Sequence, residues 1–273
     1  MDEKLMDQVM EEVLKKLNSG NTDVVKRKDA PVEEQKERTN KTFGANGITE
    51  FVGTAIGDTV GLVIANVDSE LLASMNLDKS YRSIGIIGGR TGAGPQIMAA
   101  DEAVKATNTE IIKIELPRDT KGGAGHGCLI IFGADDVSDA RRAVEVVLDD
   151  LDRTFGDVYG NDAGHIELQY TARASKALAY TFGAKEGQAF GIIVGAPAAI
   201  GVVTADTALK AANVEVVSYS TPTNGNSFSN ECTVTITGDS GAVRQAVLAA
   251  KDVGVKLLEA LGGEAPSSTK PYI

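Results

Sequence analysis

Ala100-Asp-Glu-Ala-Val-Lys-Ala-Thr-Asn-Thr-Glu-Ile-Ile-Lys-Ile-Glu-Leu-Pro117 aligns without a gap on Ala205-Asp-Thr-Ala-Leu-Lys-Ala-Ala-Asn-Val-Glu-Val-Val-Ser-Tyr-Ser-Thr-Pro222. Working outward, Gly85-Ile-Ile matches Gly191-Ile-Ile, and Glu50-Phe-Val-Gly-Thr-Ala55 matches Glu167-Leu-Gln-Tyr-Thr-Ala172. Downstream, Leu129-Ile-Ile-Phe-Gly133 falls on Val234-Thr-Ile-Thr-Gly238, and Arg142-Ala-Val144 on Gln245-Ala-Val247. The blocks keep their order, so the body of the chain is one unit written twice. Copy one spans residues 46–161 and copy two 162–265, between a leading segment 1–45 and a tail 266–273.

Each copy reads as a small α/β sandwich. A short strand (Ile48–Val52; Ile166–Tyr170) leads into a helix expected near Asp58 or Ser175. In copy one Val60, Val63, Ile64, Val67, Leu71 and Met75 follow helical spacing. A buried strand (Ser83–Ile87; Phe190–Val194) precedes a helix that starts at Pro95 or Pro197 and ends near Asn108 or Asn213. A hairpin with a long loop follows, Pro117–Gly127 in copy one and Thr221–Glu231 in copy two. A closing helix runs from Val137 to Phe155, or from Ser240 to Leu261. The helices are expected to cover a mixed sheet.

Composition excludes several classes of function. The 27 Lys and Arg against 38 Asp and Glu leave a net charge of −11, which opposes binding to a phosphate backbone. Nothing approaches a membrane-spanning apolar run, and the acidic start MDEKLMDQVMEEV lacks the character of a secretory signal, so a cytoplasmic protein is expected. Within that start Leu5, Met6, Val9, Met10, Val13, Leu14 and Leu17 share one half of a helical wheel. Residues 21–42 are polar and read as a tether. Such a helix either docks on its own body or seats in the groove of another protein, and the length of the tether favours the second.

Catalytic chemistry is hard to assemble. Gly88-Gly89-Arg90-Thr91-Gly92-Ala93-Gly94 lies where a phosphate-cradling loop would lie, yet it fits neither common glycine fingerprint. Copy two replaces it with Gly195-Ala-Pro-Ala-Ala-Ile-Gly201, so a tight strand-to-helix turn is the better reading. His126, His165, Cys128 and Cys232 are too few and too scattered for a zinc site. Cys128 aligns beside Thr233, one place from Cys232, and both cysteines are expected as small half-buried residues without a disulfide. No enzyme activity, cofactor or metal is expected.

Asp206-Thr-Ala-Leu-Lys210-Ala-Ala-Asn-Val-Glu-Val-Val, followed by Gly238-Asp-Ser-Gly-Ala-Val-Arg-Gln-Ala-Val247, closely resembles the bacterial microcompartment shell domain, and Asp101-Glu-Ala-Val-Lys105-Ala repeats its first part. A strand and helix ahead of Gly85-Ile-Ile and Gly191-Ile-Ile resemble the circularly permuted, tandem-domain class of that family. The resemblance implies a pseudo-hexameric homotrimer that packs with other shell hexamers, of the type that encloses propanediol- or glycerol-using enzymes. It places Asp101, Lys105, Asp206 and Lys210 at tile edges. It turns the hairpin loops toward a pore for a small polyol, glycerol or 1,2-propanediol, through Glu115, Asp119, Thr120, His126, Thr221, Thr223, Asn224 and Asn226. It also implies small channels between the two domains of one subunit. Cargo docking to lumen enzymes falls to Leu5, Met6, Val9, Val13 and Leu17. The competing reading is a soluble regulator that binds a small metabolite on a duplicated sandwich.

Overall fold

The computed structural model describes residues 48–78, 80–117, 127–221 and 230–273. They form two five-stranded sheets. The first contains β1 (Phe51–Ala55), β2 (Thr59–Ala65), β3 (Ser83–Gly89), β4 (Glu110–Glu115) and β5 (Cys128–Ala134), in the order β1-β2-β3-β5-β4. The second contains β6 (Val158–Asn161), β7 (Gly164–Thr171), β8 (Ala189–Ala196), β9 (Val214–Ser220) and β10 (Cys232–Gly238), in the order β6-β7-β8-β10-β9. The identical strand order establishes the duplication in three dimensions.

Helices fill the remainder of each copy: α1 (Ser69–Ser74), α2 (Gly94–Ala106) and α3 (Val137–Thr154) in the first, and α4 (Lys176–Phe182), α5 (Ala198–Ala211) and α6 (Ser240–Gly262) in the second. The α3 stripe Ala140, Ala143, Val144, Val147, Leu148 and Leu151 is buried and repeats at helical spacing. It lies close against the sheet because Gly85 faces it; a Cβ there would come within 2.7 Å of the Ala140 carbonyl oxygen. The same face of the sheet supplies Val63, Ile87, Ile130 and Phe132 to the core.

Four expectations change. All strand pairs between these elements are antiparallel, so the sheets are not mixed. The helix expected from Asp58 is a hairpin instead. Gly57 (φ 78) and Asp58 (φ 48) both take the left-handed conformation, and β1 turns tightly into β2. Only the short α1 follows, capped by Asp68, whose Oδ1 accepts from the Glu70 and Leu71 amides. In copy two the expected helix near Ser175 is present as α4.

The upstream repeat alignment is also displaced by one strand: Glu167–Thr171 lies in β7, the counterpart of β2, and β6 is the counterpart of β1. The second sheet begins with β6 at Val158. Finally, Cys128 pairs with Gly89 and Cys232 with Gly195, the two ends of matching strands. The cysteines are equivalent to each other rather than one place apart, and both are fully buried, not half-buried. Burial raises both thiols, Cys128 to about 12, so neither is poised to react.

Candidate functional site

The two copies meet along α2. From Gly94 to Asp101 this helix is buried, because α4 and β7 of the second copy lie across it. Asp101 fastens the seam. Its carboxylate accepts from the Ser175 amide at 3.0 Å, the Ser175 hydroxyl at 2.9 Å and the Leu178 amide at 3.2 Å. Lys105 Nζ stands 3.0 Å away as counter-ion. Ser175 makes no side-chain cap of its own, so a carboxylate from copy one caps the first turn of α4 in copy two. A second tie runs from Gln169 Nε2 to the Thr154 carbonyl, 2.8 Å long and buried.

Beside this seam lies a cavity of about 350 Å³. Copy one contributes the Thr91–Gly94 turn, Leu116 and Phe155, and copy two contributes Tyr159, His165, Glu167, Phe182, Glu231 and Thr233 among others. The turn does have a use, then, as a wall. Gly94 leaves room for the Glu167 carboxyl, with which any side chain at that position would collide. Burial, reinforced by the charge of Glu231, pushes the Glu167 carboxyl up to about 8, so it carries its proton at neutral pH. Burial holds His165 below the usual imidazole range, opposed by Glu231, whose Oε2 lies 4.0 Å from Nε2.

A protonated carboxyl both donates and accepts, and so do the hydroxyls of Ser218, Ser220 and Thr233 on the same wall. Phe155, Phe182 and Ile192 supply apolar surface between them. No lysine or arginine lines the cavity among the described residues. Such a lining suits a small uncharged solute with hydroxyls and some hydrocarbon, with no lysine or arginine to draw in an anion. Among the described residues no group of three or more His, Cys, Asp or Glu could hold a metal ion.

The residues expected at a site are scattered. Glu115 ends β4, exposed and paired with Lys113 at 3.0 Å, and Thr221 follows β9; neither lines the cavity. Asp119, Thr120, His126, Thr223, Asn224 and Asn226 lie outside the described residues, as do Leu5, Met6, Val9, Val13 and Leu17. Of the edge set, Asp101 is sealed in the seam, while Asp206 and Lys210 form an exposed pair at 2.6 Å. Glu167, Glu231 and His165 escaped sequence reasoning as a group. The sequence shows only a glutamate and a glutamine facing the same way in β7, and it takes the structure to show that both faces of that strand are covered.

The BMC domain family matches residues 83–162 and 189–265. The bacterial microcompartment shell protein PduB of Citrobacter freundii is 61% identical over 270 residues, 99% of this chain and 98% of that protein. A trimeric bacterial microcompartment shell protein PduB of known crystal structure is 58% identical with a TM-score of 0.79, covering 82% of this chain and 99% of its own. EtuB from Clostridium kluyveri, also 58% identical, superposes with a TM-score of 0.81 over 84% of this chain and 100% of its own. No described helix is long and apolar enough to cross a membrane. Two matched domains in tandem, with a relative along nearly the whole length, show that the chain belongs to the bacterial microcompartment shell proteins and has a structural role in the shell.

Proposed function

We propose that three chains close into a pseudo-hexagonal tile of a propanediol-utilization compartment, and that small polyols such as 1,2-propanediol or glycerol cross it through the cavity between the copies. One observation carries the tile: the chain has one half-seam used and its counterpart bare. Ile97 and Met98 on α2, the helix that copy two crosses, are fully buried. Their repeat equivalents on α5, Val202 and Val203, are 48% and 43% exposed. On the other side, β2 presents Val60, Leu62 and Ile64, half-buried, where β7 presents the covered Glu167, Gln169 and Thr171. An α5 face that fits the β2 face of the next chain is a heterologous contact, and it closes into a ring when each copy turns by a sixth of a circle. The trimeric PduB relative supports the count.

The rest of the reading follows from the tile. Lys105 and Lys210 lie near the ends of α2 and α5, where contacts with neighbouring hexamers are made. The leading segment, with its apolar Leu5, Met6, Val9, Val13 and Leu17, attaches lumen enzymes, and the hairpin loops line the centre of the ring. The chain itself catalyses nothing. Light scattering after size exclusion tests the tile: wild type runs as a trimer and Val203→Glu as a monomer. A monomeric wild type at high concentration sinks the proposal. Deleting residues 1–40 leaves trimers intact but releases enzymes from purified compartments. Crystals soaked in 1,2-propanediol show the solute beside Glu167, and a cavity empty at saturating diol removes the passage.

A further inference from the structure

The wall of the inter-copy cavity that carries Phe155, Val158, Tyr159 and Gly160 is the covalent crossing between the copies, and it is held by a strap. Segment 264–273 returns from the end of α6 along the outer edge of β6. The Ser268 amide donates to the Val158 carbonyl at 2.8 Å, the Gly160 amide to the Pro266 carbonyl at 3.3 Å, and Tyr159 bridges Ser267. Ser267 also donates to the Gly156 carbonyl at 2.6 Å, and Thr269 donates to that of Asp152. The strap thus binds the end of α3 in copy one and the edge of the sheet in copy two, with Ser268 at the mouth of the cavity.

Its far end is fixed by one buried carboxylate that faces away from the cavity. Asp157 is fully buried. Its Oδ2 accepts from the Tyr272 amide at 2.9 Å and the Ile273 amide at 3.0 Å. Its Oδ1 takes the Tyr159 hydroxyl at 3.1 Å and stands 3.5 Å from Lys251 Nζ. Arg153 lies over the Tyr272 ring, 4.7 Å from its centroid, while the Tyr272 hydroxyl meets Gln169 and the Tyr170 carbonyl. Every partner of the Asp157 carboxylate among the described residues is a donor. An asparagine in either orientation would turn its amide N–H groups toward donors, so the position demands a carboxylate.

We infer that Asp157 is a positioning residue for the passage: by clasping segment 264–273 against β6 it keeps the wall at Phe155–Gly160 closed and sets the width of the cavity. The inference rests on the cavity as passage only for its purpose, because the closure itself is measurable without any solute. In the full chain with Cys128→Ala and Cys232→Ala, a Thr233→Cys probe on the opposite wall is labelled with a small and a bulky maleimide. Asp157→Asn raises the rate with the bulky reagent about tenfold, the factor expected when a charge-assisted hydrogen bond that holds a closed form is lost. The rate with the small reagent changes less, a size dependence that general loosening would not produce. Tyr272→Ala, at a partly exposed residue and therefore compatible with folding, gives the same sign, and removing residues 264–273 gives the largest effect. Unchanged bulky-reagent rates in folded Tyr272→Ala and in the truncated chain would overturn the inference. An equal acceleration for both reagents would overturn it as well.

Discussion

Asp101→Ala and Asp206→Ala change the same repeat position, and the structure makes their costs very different. Asp101 is fully buried and accepts from two amides and a hydroxyl of α4, with Lys105 as counter-ion. Removing it uncaps α4, which costs about 1–2 kcal/mol, and leaves the half-sheltered Lys105 without its buried partner. Breaking a buried pair costs about 3–5 kcal/mol, and Lys105 keeps Glu102 at 2.7 Å, so the sum stands at about 3 kcal/mol. Asp206, with a side chain 59% exposed, pairs with Lys210, and such a pair contributes about 0–1 kcal/mol. Urea unfolding in the monomeric Val203→Glu background compares the two without contacts between chains. Asp101→Ala lowers stability by about 3 kcal/mol, equivalent to roughly 6–12 °C in Tm for a chain of this size, and Asp206→Ala by less than 1. Asp101→Asn, which keeps one acceptor for the amides, falls between. If Asp101→Ala unfolds within 1 kcal/mol of its parent, the carboxylate is not what holds the copies together.

Glu167 gives a pH dependence. Its carboxyl titrates near 8 when folded and in the ordinary carboxylate range, about 4.5, when unfolded. The folded state holds the extra proton between those values, so stability is full at low pH and falls as pH rises from 4.5 to 8, by at most about 5 kcal/mol. Glu167→Gln abolishes that slope in pH-dependent chemical denaturation and leaves the protein more stable than wild type at pH 8. Gly94→Val drives a side chain into the Glu167 carboxyl, costs about 1–3 kcal/mol in the same assay, and empties the cavity of diol in soaked crystals. Thr233→Phe fills the cavity from the opposite wall without touching the seam; it slows diol entry into assembled compartments while trimers persist in light scattering.

The repeat made most of the fold legible before any coordinate. Both hairpins, the helices beginning at Gly94 and Ala198, and the two closing helices lie where blocks of matching sequence put them. The segment 58–75 did not, because Val60, Val63, Ile64 and Val67 satisfy helical spacing while Thr59, Gly61 and Val63 also alternate with Val60, Leu62 and Ile64. Periodicity leaves that tie open, and the left-handed Gly57-Asp58 turn breaks it. The cavity was illegible for another reason. Glu167, Gln169 and Thr171 alternate with Ile166, Leu168 and Tyr170, the pattern of a strand with one face in water. That face is instead covered by α2 of the other copy. Alternation reports that two faces differ, and it cannot distinguish solvent from a polar seam. Asp101 misled in the same way: its motif is shared with Asp206, and only the chain that crosses above it decides which of the two is buried.

Duplication also explains why the cavity falls inside one chain. Strand register equates Glu167, opposite Val194, with Val60, opposite Gly88, and likewise Gln169 with Leu62 and Thr171 with Ile64. Where the seam within a chain presents a glutamate, a glutamine and a threonine, the face offered to the next chain presents valine, leucine and isoleucine. Its α5 partner is apolar too, through Val202, Val203 and Leu209. A polar seam stapled by a covalent crossing can tolerate a wet cavity, because it need not supply its own association energy. A seam between separate chains must do so, and burial of apolar surface is the term that provides it, at roughly 25 cal/mol per Å². In a ring of six identical domains every seam would have to serve both demands at once. Writing the domain twice in one chain divides them: the seam inside each chain is free to keep a polar cavity, and the seam between chains is free to hold.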